Sequence, residues 1–218
     1  MWKILLSEFW NDLRNQKTRA FLTMFAITWG TISVVLLLAF GSGLGTKMRD
    51  GFINAGDRIF MVYGGETSQP FEGLPKGRRI RLRAEDVDLL TQSIPGIDMA
   101  SISYGRHGTV IEVGENKTTS YMEGVDPAFE EMRRMFPTVG GRFLNSRDVQ
   151  LKRRVVFLGD EIAEQLFGDE EAVGQTLEID GLPFTVSGVM QSKLQTSMNN
   201  GPDADRVIIP SSVYATIY

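Results

Sequence analysis

The residue types that most often carry enzyme chemistry are almost missing from this sequence. It contains no cysteine, which excludes disulfides, thiolate zinc sites and cysteine nucleophiles, and it has a single histidine, His107. A lone histidine beside Gly108 in a strand-like run is expected to be structural. No G-x-x-x-x-G-K-[ST] loop is present to cradle nucleotide phosphates. The sequence therefore predicts no catalytic residue, no metal ligand and no cofactor bound by this chain.

Several clusters of charged residues are most simply interpreted as surface charges exposed to solvent. The carboxylates at 130–131 and 169–171 fall on predicted helix or turn faces, which disfavours a membrane-anchored enzyme. The basic run at 78–83 alternates arginines with Ile80 and Leu82, which favours a solvated strand edge over an anion or lipid-headgroup site. A formal net charge of −4 without a basic patch argues against nucleic acid as a partner.

The chain is organised around an apolar stretch at residues 20–45, AFLTMFAITWGTISVVLLLAFGSGLG. It holds no charged residue, and a hydrocarbon core of about 30 Å needs about 20 helical residues. The run is too long for the apolar core of a signal peptide, and no convincing cleavage site follows it. We therefore expect a transmembrane helix at 20–45.

The leader at 1–19 carries apolar residues at helical spacing, including two tryptophans suited to the headgroup layer. The expected structure is an interfacial amphipathic helix on the cytoplasmic side; the alternative is a simple extension of the span into the cytosol. The leader has four basic residues against two acidic ones, and the far flank has three against two. This difference favours a cytoplasmic N-terminus and an external C-terminal domain.

Small residues line one side of the predicted span. Ala26, Gly30 and Ser33 follow one another at spacings of 4 and 3 residues. Such tracks let helix backbones approach closely in lipid, so these residues are predicted to pack against a partner helix. Because small residues are common in membrane helices in general, a helix without a packing partner stays a second interpretation.

Residues 46–218 are predicted to form one extracytoplasmic domain of the α+β class, with mostly antiparallel strands and short helices. Asp180–Gly181 is the strongest hairpin signal, and a second turn is expected at 114–117. The predicted strands are 80–82, 98–104, 108–113, 118–123, 154–158, 176–179, 184–190 and 207–209. The predicted helices are 84–93, 126–136, 159–167 and 211–218, the second opening with Asp126 as its N-cap.

Three segments carry a family resemblance: GGRFLNSRDV from 140, RRVVFLGDEIAEQLFGDEEAVGQTLEIDGLPFTVSGVM from 153, and VIIPSSVY from 207. Their order resembles the periplasmic core domain of MacB-type ABC transporter permeases in the FtsX superfamily. The first apolar helix resembles the first span of that family. The residues that carry the pattern are structural: Gly141, Arg142, Phe143, Leu158, Gly159, Leu166, Phe167, Gly168, Val173, Gly174, Gln175, Gly188, Val189 and Pro210.

The resemblance implies a membrane subunit in the bacterial inner membrane that couples the motion of a separate ATPase to an external domain, for export or mechanotransmission. It implies as partners the lipid bilayer, a cytoplasmic ABC ATPase subunit, the remaining permease spans, a second permease copy and a periplasmic adaptor. Family members carry three more spans after the periplasmic domain, so the chain resembles an N-terminal half. The alternative from another class is a single-span extracytoplasmic sensor or scaffold, which a ligand pocket or a signalling module would favour.

Overall fold

The computed structural model describes residues 16–54, 58–195 and 199–218, together with positions 2, 10 and 14. The predicted interfacial helix at 1–19 therefore lies mostly outside the described residues and stays a prediction. The chain forms two compact units, residues 1–49 and residues 50–218. The division of the chain at residues 19 and 45 also stays a prediction.

Helix α1, Lys17–Asn54, contains the predicted span and is 38 residues long. Residues 17–49 are long and apolar enough to cross a membrane, and their side chains are exposed rather than packed in a protein core. Four of its hydroxyl side chains bond back to the helix backbone, among them Thr23 Oγ1, which donates to Arg19 O at 2.9 Å, and Thr31 Oγ1, which donates to Ile27 O at 2.8 Å. These hydroxyls therefore need no water in an apolar surround.

The second unit is built on a closed six-stranded barrel with the order β1-β2-β6-β3-β5-β4. The strands are β1 Ser103–Val113, β2 Asn116–Val125, β3 Val155–Leu158, β4 Thr176–Ile179, β5 Leu182–Val189 and β6 Arg206–Pro210. The β2–β6 and β3–β5 pairs are parallel and the other four are antiparallel. The predicted mostly antiparallel α+β architecture is confirmed, and its closure into a barrel was not predicted.

Five short helices accompany the described strands: α2 Glu85–Ser93, α3 Phe129–Arg133, α4 Ser146–Gln150, α5 Asp160–Phe167 and α6 Ser211–Ile217. The predictions at 84–93, 159–167 and 211–218 are confirmed to within a residue or two. Helix α5 buries the apolar face expected for it, with Ile162, Ala163 and Leu166 inward. A 3₁₀ turn, Asp203–Asp205, lies in the loop before β6.

Two predicted strands are wrong or too long. Residues 80–82 form no strand; nearby, Arg79 makes an isolated bridge with Glu66, and Ile80 N donates to Gly65 O at 2.7 Å. Strand β1 begins only at Ser103, so 98–102 lies outside it. The alternating pattern was real, but a strand also needs a neighbouring strand to complete its hydrogen bonds.

The helix predicted at 126–136 is reduced to the five residues of α3. Asp126 does not cap it, because its carboxylate accepts a hydrogen bond from Ser211 Oγ instead. The helix ends at Arg133, because the next residue, Arg134, has a left-handed φ of 53°. Helix α4 was not predicted, although its capping box is readable in the sequence: Asn145 Oδ1 accepts from Asp148 N, and Asp148 Oδ2 accepts from Asn145 N.

The hairpin predicted at Asp180–Gly181 joins β4 to β5. Both residues have positive φ, 49° and 78°, as a two-residue type I′ turn requires. Asp180 also links β4 to β1, since its carboxylate accepts from Val110 N at 3.1 Å and its own N–H donates to Val110 O at 2.9 Å. One turn residue therefore helps close the barrel.

All residues of the two buried apolar clusters lie between Ile111 and Ile217. The larger cluster fills the barrel under α5 and α6, and the smaller one includes Phe143 and Phe157, whose rings meet edge to face at 4.8 Å. By contrast, most large apolar side chains in residues 60–99 are exposed, among them Phe60 at 90% and Tyr63 at 72%, and none is buried. The stable core of this unit is thus supplied by the barrel.

Candidate functional site

The family-pattern glycines Gly141 and Gly188 lie where two backbone segments cross without a side chain between them. A Cβ added at Gly141 would lie 2.8 Å from Gly188 Cα, and one added at Gly188 would lie 2.6 Å from Arg142 O. The Arg142 N–H donates to Ser187 O at 2.8 Å across this crossing. Only glycine allows the segments to approach this closely.

Arg142 anchors the crossing to helix α4. Its guanidinium contacts the Asp148 carboxylate twice, at 2.6 and 3.1 Å, and donates to Phe143 O at 2.8 Å. Asp148 is fully buried. Such a bidentate pair has the fixed geometry that only arginine provides. Sequence reasoning missed Asp148, although its spacing of three from Asn145 signals the capping box.

A second crossing involves Gly159, at the end of β3. Its N–H donates to Arg206 O at 2.9 Å, and an added Cβ would lie only 2.1 Å from Ala204 O. Leu158, just before it, is fully buried. The connection from β3 to α5 at Leu158–Gly159 therefore packs closely against the loop that precedes β6.

The other pattern residues shape turns and the core. Gly168 ends α5 with a φ of 59°, and Gly174 reverses the chain with a φ of 85° and donates to Val186 O at 2.8 Å. Leu166 and Phe167 are buried. Half-buried Val173, Gln175 and Val189 and buried Pro210 complete the set. Gln175 Nε2 donates to Glu171 O at 2.8 Å, Val189 O accepts from Thr138 N at 2.8 Å, and Pro210 ends β6.

The largest feature that sequence reasoning missed is a buried network of five charged side chains. Its members come from β2, α3, the loop at 191–195 and the segment at 203–206: Glu123, Arg133, Lys193, Asp203 and Arg206. The side chain of each of the five residues is at least nine-tenths buried. The only sequence signal is the position of Asp203 and Arg206 immediately before an apolar strand.

Asp203 is the centre of this network. It lies 2.6 Å from Arg133 Nη2, 2.8 Å from Lys193 Nζ and 3.2 Å from Arg206 Nε. Burial alone would raise the pKa of Asp203, but the three cations outweigh burial and lower the pKa below its ordinary value. Asp203 is therefore held as a carboxylate, and the network pins the loop before β6 to α3.

A polar cleft of about 470 Å³ lies beside the network, between the β1–β2 pair, α5 and the loop at 200–202. It contains His107, whose ring lies 4.5 Å from the Tyr121 ring. Asn200 Nδ2 donates to the Tyr121 hydroxyl at 3.0 Å, and burial followed by the Glu123 charge raises the Tyr121 pKa. Residues 16–54, 58–195 and 199–218 contain no cluster of three side chains that could hold a metal ion.

The predicted packing residues of the span, Ala26, Gly30 and Ser33, are exposed on α1, and a Cβ added at Gly30 would meet nothing within 4 Å. The span also carries an aromatic row. The rings of Phe21 and Phe25 stack at 6.1 Å, and those of Phe25 and Trp29 stack at 6.0 Å. The role predicted for Ala26, Gly30 and Ser33 in packing against another helix stays a prediction.

Curated relatives align with nearly the whole chain. A "Macrolide export ATP-binding/permease protein MacB" of Bdellovibrio bacteriovorus is 29% identical over 94% of this chain and 31% of its own length. A "Pyoverdine export ATP-binding/permease protein PvdT" of Pseudomonas syringae is 30% identical, covering 93% and 30%. The ABC transporter permease YvrN of Bacillus subtilis is 27% identical, covering 93% and 51%. This chain thus spans a third to a half of these relatives.

Solved structures share the fold. The periplasmic region of MacB from Actinobacillus actinomycetemcomitans superposes with a TM-score of 0.53 at 20% identity, covering 63% of this chain and 58% of that one. The extracellular domain of the ABC-type transporter YknZ from Gram-positive bacteria gives 0.53 at 19% identity, covering 62% and 66%. The family model described as "MacB-like periplasmic core domain" matches residues 20–218. Because that match includes both the membrane-length helix and the barrel, this chain belongs to the family of MacB-like periplasmic core domains.

Proposed function

We propose that these 218 residues are the N-terminal part of the membrane subunit of a MacB-like ABC transporter. In this role the chain couples ATP-driven motion to an extracytoplasmic domain, for export or mechanotransmission. The observation that carries the proposal is the continuous family match from residue 20, within the membrane-length helix, to residue 218. The export functions in the names of the MacB and PvdT relatives support it.

ATP hydrolysis lies outside these residues under this proposal. The chain has no G-x-x-x-x-G-K-[ST] loop, while the MacB and PvdT relatives, named as ATP-binding and permease proteins, are about three times longer than the part that aligns. The chain itself binds no cofactor. It contributes a lever, the helix α1, and a moving part, the barrel.

The barrel suits transmission of motion because its described contacts resist deformation. A closed sheet has no free edge, and the two glycine crossings and the buried charge network tie its loops to its strands. A rigid element moves as a whole, so a displacement at one end reaches the other. The N-terminus is assigned to the cytoplasm and the barrel to the extracytoplasmic side of the bacterial inner membrane.

The proposed partners follow from this role. They are a cytoplasmic ABC ATPase, the remaining permease spans, a second permease copy and a periplasmic adaptor. The face formed by Ala26, Gly30 and Ser33 is assigned to close packing with one of those spans, because small residues allow helices to approach in lipid.

The test uses a single spin label: these 218 residues contain no cysteine, and any cysteine in the rest of the transporter is replaced by serine. Lys152→Cys places the label on an exposed residue of the barrel unit. The full-length protein and its ATPase are reconstituted in liposomes, and label mobility and solvent accessibility are measured by electron paramagnetic resonance. ATP trapped with vanadate is expected to change the spectrum relative to the nucleotide-free state.

A matched label in an ATPase variant that binds but does not hydrolyse ATP separates binding from turnover. A spectrum at position 152, and at a second exposed position such as Arg154→Cys, that is identical in all nucleotide states would contradict coupling. The sensor or scaffold interpretation would then be preferred.

A further inference from the structure

A second cleft, which the sequence did not indicate, opens between the end of α3 and the loop after β5. It has a volume of about 310 Å³ and is lined by Arg134, Phe136, Gln191, Ser192, Lys193 and Leu194. Two of these residues have large apolar side chains that are partly exposed, Phe136 at 43% and Leu194 at 51%. We call this the basic cleft, because its charged lining residues are both cations.

The basic cleft has a defined shape. Gln191 N donates to Phe136 O at 2.8 Å, and Gln191 Nε2 donates to Pro137 O at 2.8 Å, so its two walls are fastened to each other. The isolated bridge between Pro137 and Met190 continues this pairing. A ligand would therefore meet a preformed surface rather than two independent loops.

The buried network behind the basic cleft is unbalanced in charge. Arg133, Lys193 and Arg206 contribute three positive charges, whereas Glu123 and Asp203 contribute two negative ones. Lys193 belongs both to this network and to the wall of the cleft. The excess positive charge of the network thus lies next to the opening of the basic cleft. Arg134 adds a second positive charge to the lining of the cleft.

Backbone oxygens solvate the cations but supply no full charge. Lys193 Nζ donates to Arg133 O at 2.7 Å, and Arg206 Nη2 donates to Gly201 O at 3.1 Å and to Asn199 O. Burial lowers the Lys193 pKa, and the charges of Arg133 and Arg206 lower it further against the opposing effect of Asp203. A carboxylate in the cleft would stabilise the charged form of Lys193 and so raise its pKa.

We propose that the basic cleft is a docking site for an acidic segment of a partner polypeptide. One carboxylate lies between Lys193 and Arg134, and a neighbouring apolar side chain covers Phe136 and Leu194. The charge complementarity is local, because the chain as a whole is acidic, with a formal net charge of −4. This interaction goes beyond the transport function and does not depend on it.

The lining favours a polypeptide over other anions. An inorganic anion would compensate the cations but leave the two apolar walls in water. An anionic bilayer would be repelled by the acidic remainder of the domain. A segment that alternates acidic and apolar side chains satisfies both the charged and the apolar parts of the surface.

The probe is the peptide acetyl-Gly-Leu-Asp-Leu-Gly-amide, titrated into the whole chain in nanodiscs of zwitterionic lipid. The protein carries [ε-¹³C]lysine, and Lys193→Arg identifies the Lys193 signal. Peptide binding is expected to shift that signal and to raise the Lys193 pKa, since a nearby carboxylate favours the charged amine. The peptide with Asn in place of Asp should bind about tenfold more weakly.

Two pairs of variants locate the site. Arg134→Gln should weaken binding several-fold, whereas Lys152→Gln, another exposed cation with positive φ, should not. Leu194→Ser should weaken binding, whereas Leu151→Ser, also exposed, should not. Equal binding of the Asn peptide, equal effects of test and control variants, or the same Lys193 shift with inorganic phosphate alone would each overturn the proposal. So would the absence of any peptide-induced shift.

Discussion

The Arg206 guanidinium lies 2.5 Å from the Glu123 carboxylate, and both side chains are almost completely buried. The pair joins β6 to β2, two strands that run parallel and are far apart in sequence. Ser103 Oγ donates to the other Glu123 oxygen at 2.5 Å, and the Arg206 guanidinium lies over the Tyr121 ring at 5.4 Å. The strands that close one side of the barrel are thus linked by charge as well as by backbone hydrogen bonds.

Glu123→Gln is expected to lower the free energy of unfolding by about 3 kcal/mol, because it leaves Asp203 as the one carboxylate of the buried network facing three buried cations, Arg133, Lys193 and Arg206. The matched control is Glu112→Gln, which removes an exposed pair with Lys117 at 2.5 Å and should cost less than about 1 kcal/mol. Urea unfolding of the whole chain in detergent, followed by circular dichroism, measures both. Equal costs would show that burial of the Arg206 pair has no energetic consequence.

Asp203→Asn is expected to destabilise the protein in a pH-dependent way. The folded state lowers the Asp203 pKa, so its carboxylate contributes stability that is fully present above about pH 4, the ordinary aspartate value. This contribution is lost as the pH falls through the lowered pKa. The stability difference between wild type and variant should therefore shrink in acid. An exposed control, Asp169→Asn, should show little difference at any pH.

Gly188→Ala is expected to cost about 2 kcal/mol, because the new Cβ would lie 2.6 Å from the Arg142 carbonyl oxygen and the backbone would have to separate. Gly65→Ala is the control, since nothing lies within 4 Å of its added Cβ and its φ is not positive. Thermal unfolding of both variants measures the effect. A neutral Gly188→Ala would mean that the crossing at Gly141 and Gly188 is not close in solution.

A fragment of residues 103–218 is expected to fold on its own. Every residue of the two buried apolar clusters lies within it, and the barrel closes using only its strands. Cooperative unfolding and dispersed amide signals in nuclear magnetic resonance would confirm this expectation. A fragment without cooperative unfolding would show that residues 58–102, despite their exposed apolar side chains, stabilise the barrel.

Local signals carried the successful predictions from the sequence. Asp180–Gly181 specifies a hairpin through its own backbone preferences, and the apolar spacing in 159–167 specifies a helix face. The residues from 20 to 45 specify a membrane-length helix by length and composition alone. In each case the decisive interactions are made within a few residues of the chain.

The missed features depend on contacts between distant residues. Asp203 meets Arg133 across 70 residues, and β1 pairs with β4 through Ile111 with Ile179 and Glu112 with Glu178. Nothing in the spacing of charged residues distinguishes a buried network from a solvated face. The strand predicted at 80–82 failed for the same reason: its alternation was correct, but its backbone found no strand to pair with.

Coupling across the membrane requires the N-terminus and the barrel to lie on opposite sides of the bilayer, and single-cysteine labelling tests this arrangement most directly. Gln16→Cys and Lys152→Cys place one thiol before α1 and one on the barrel unit. A membrane-impermeant maleimide is added to right-side-out vesicles and, separately, to permeabilised ones. Position 152 is expected to be labelled in both preparations and position 16 only after permeabilisation. Labelling of position 16 in sealed vesicles, or protection of position 152, would contradict it.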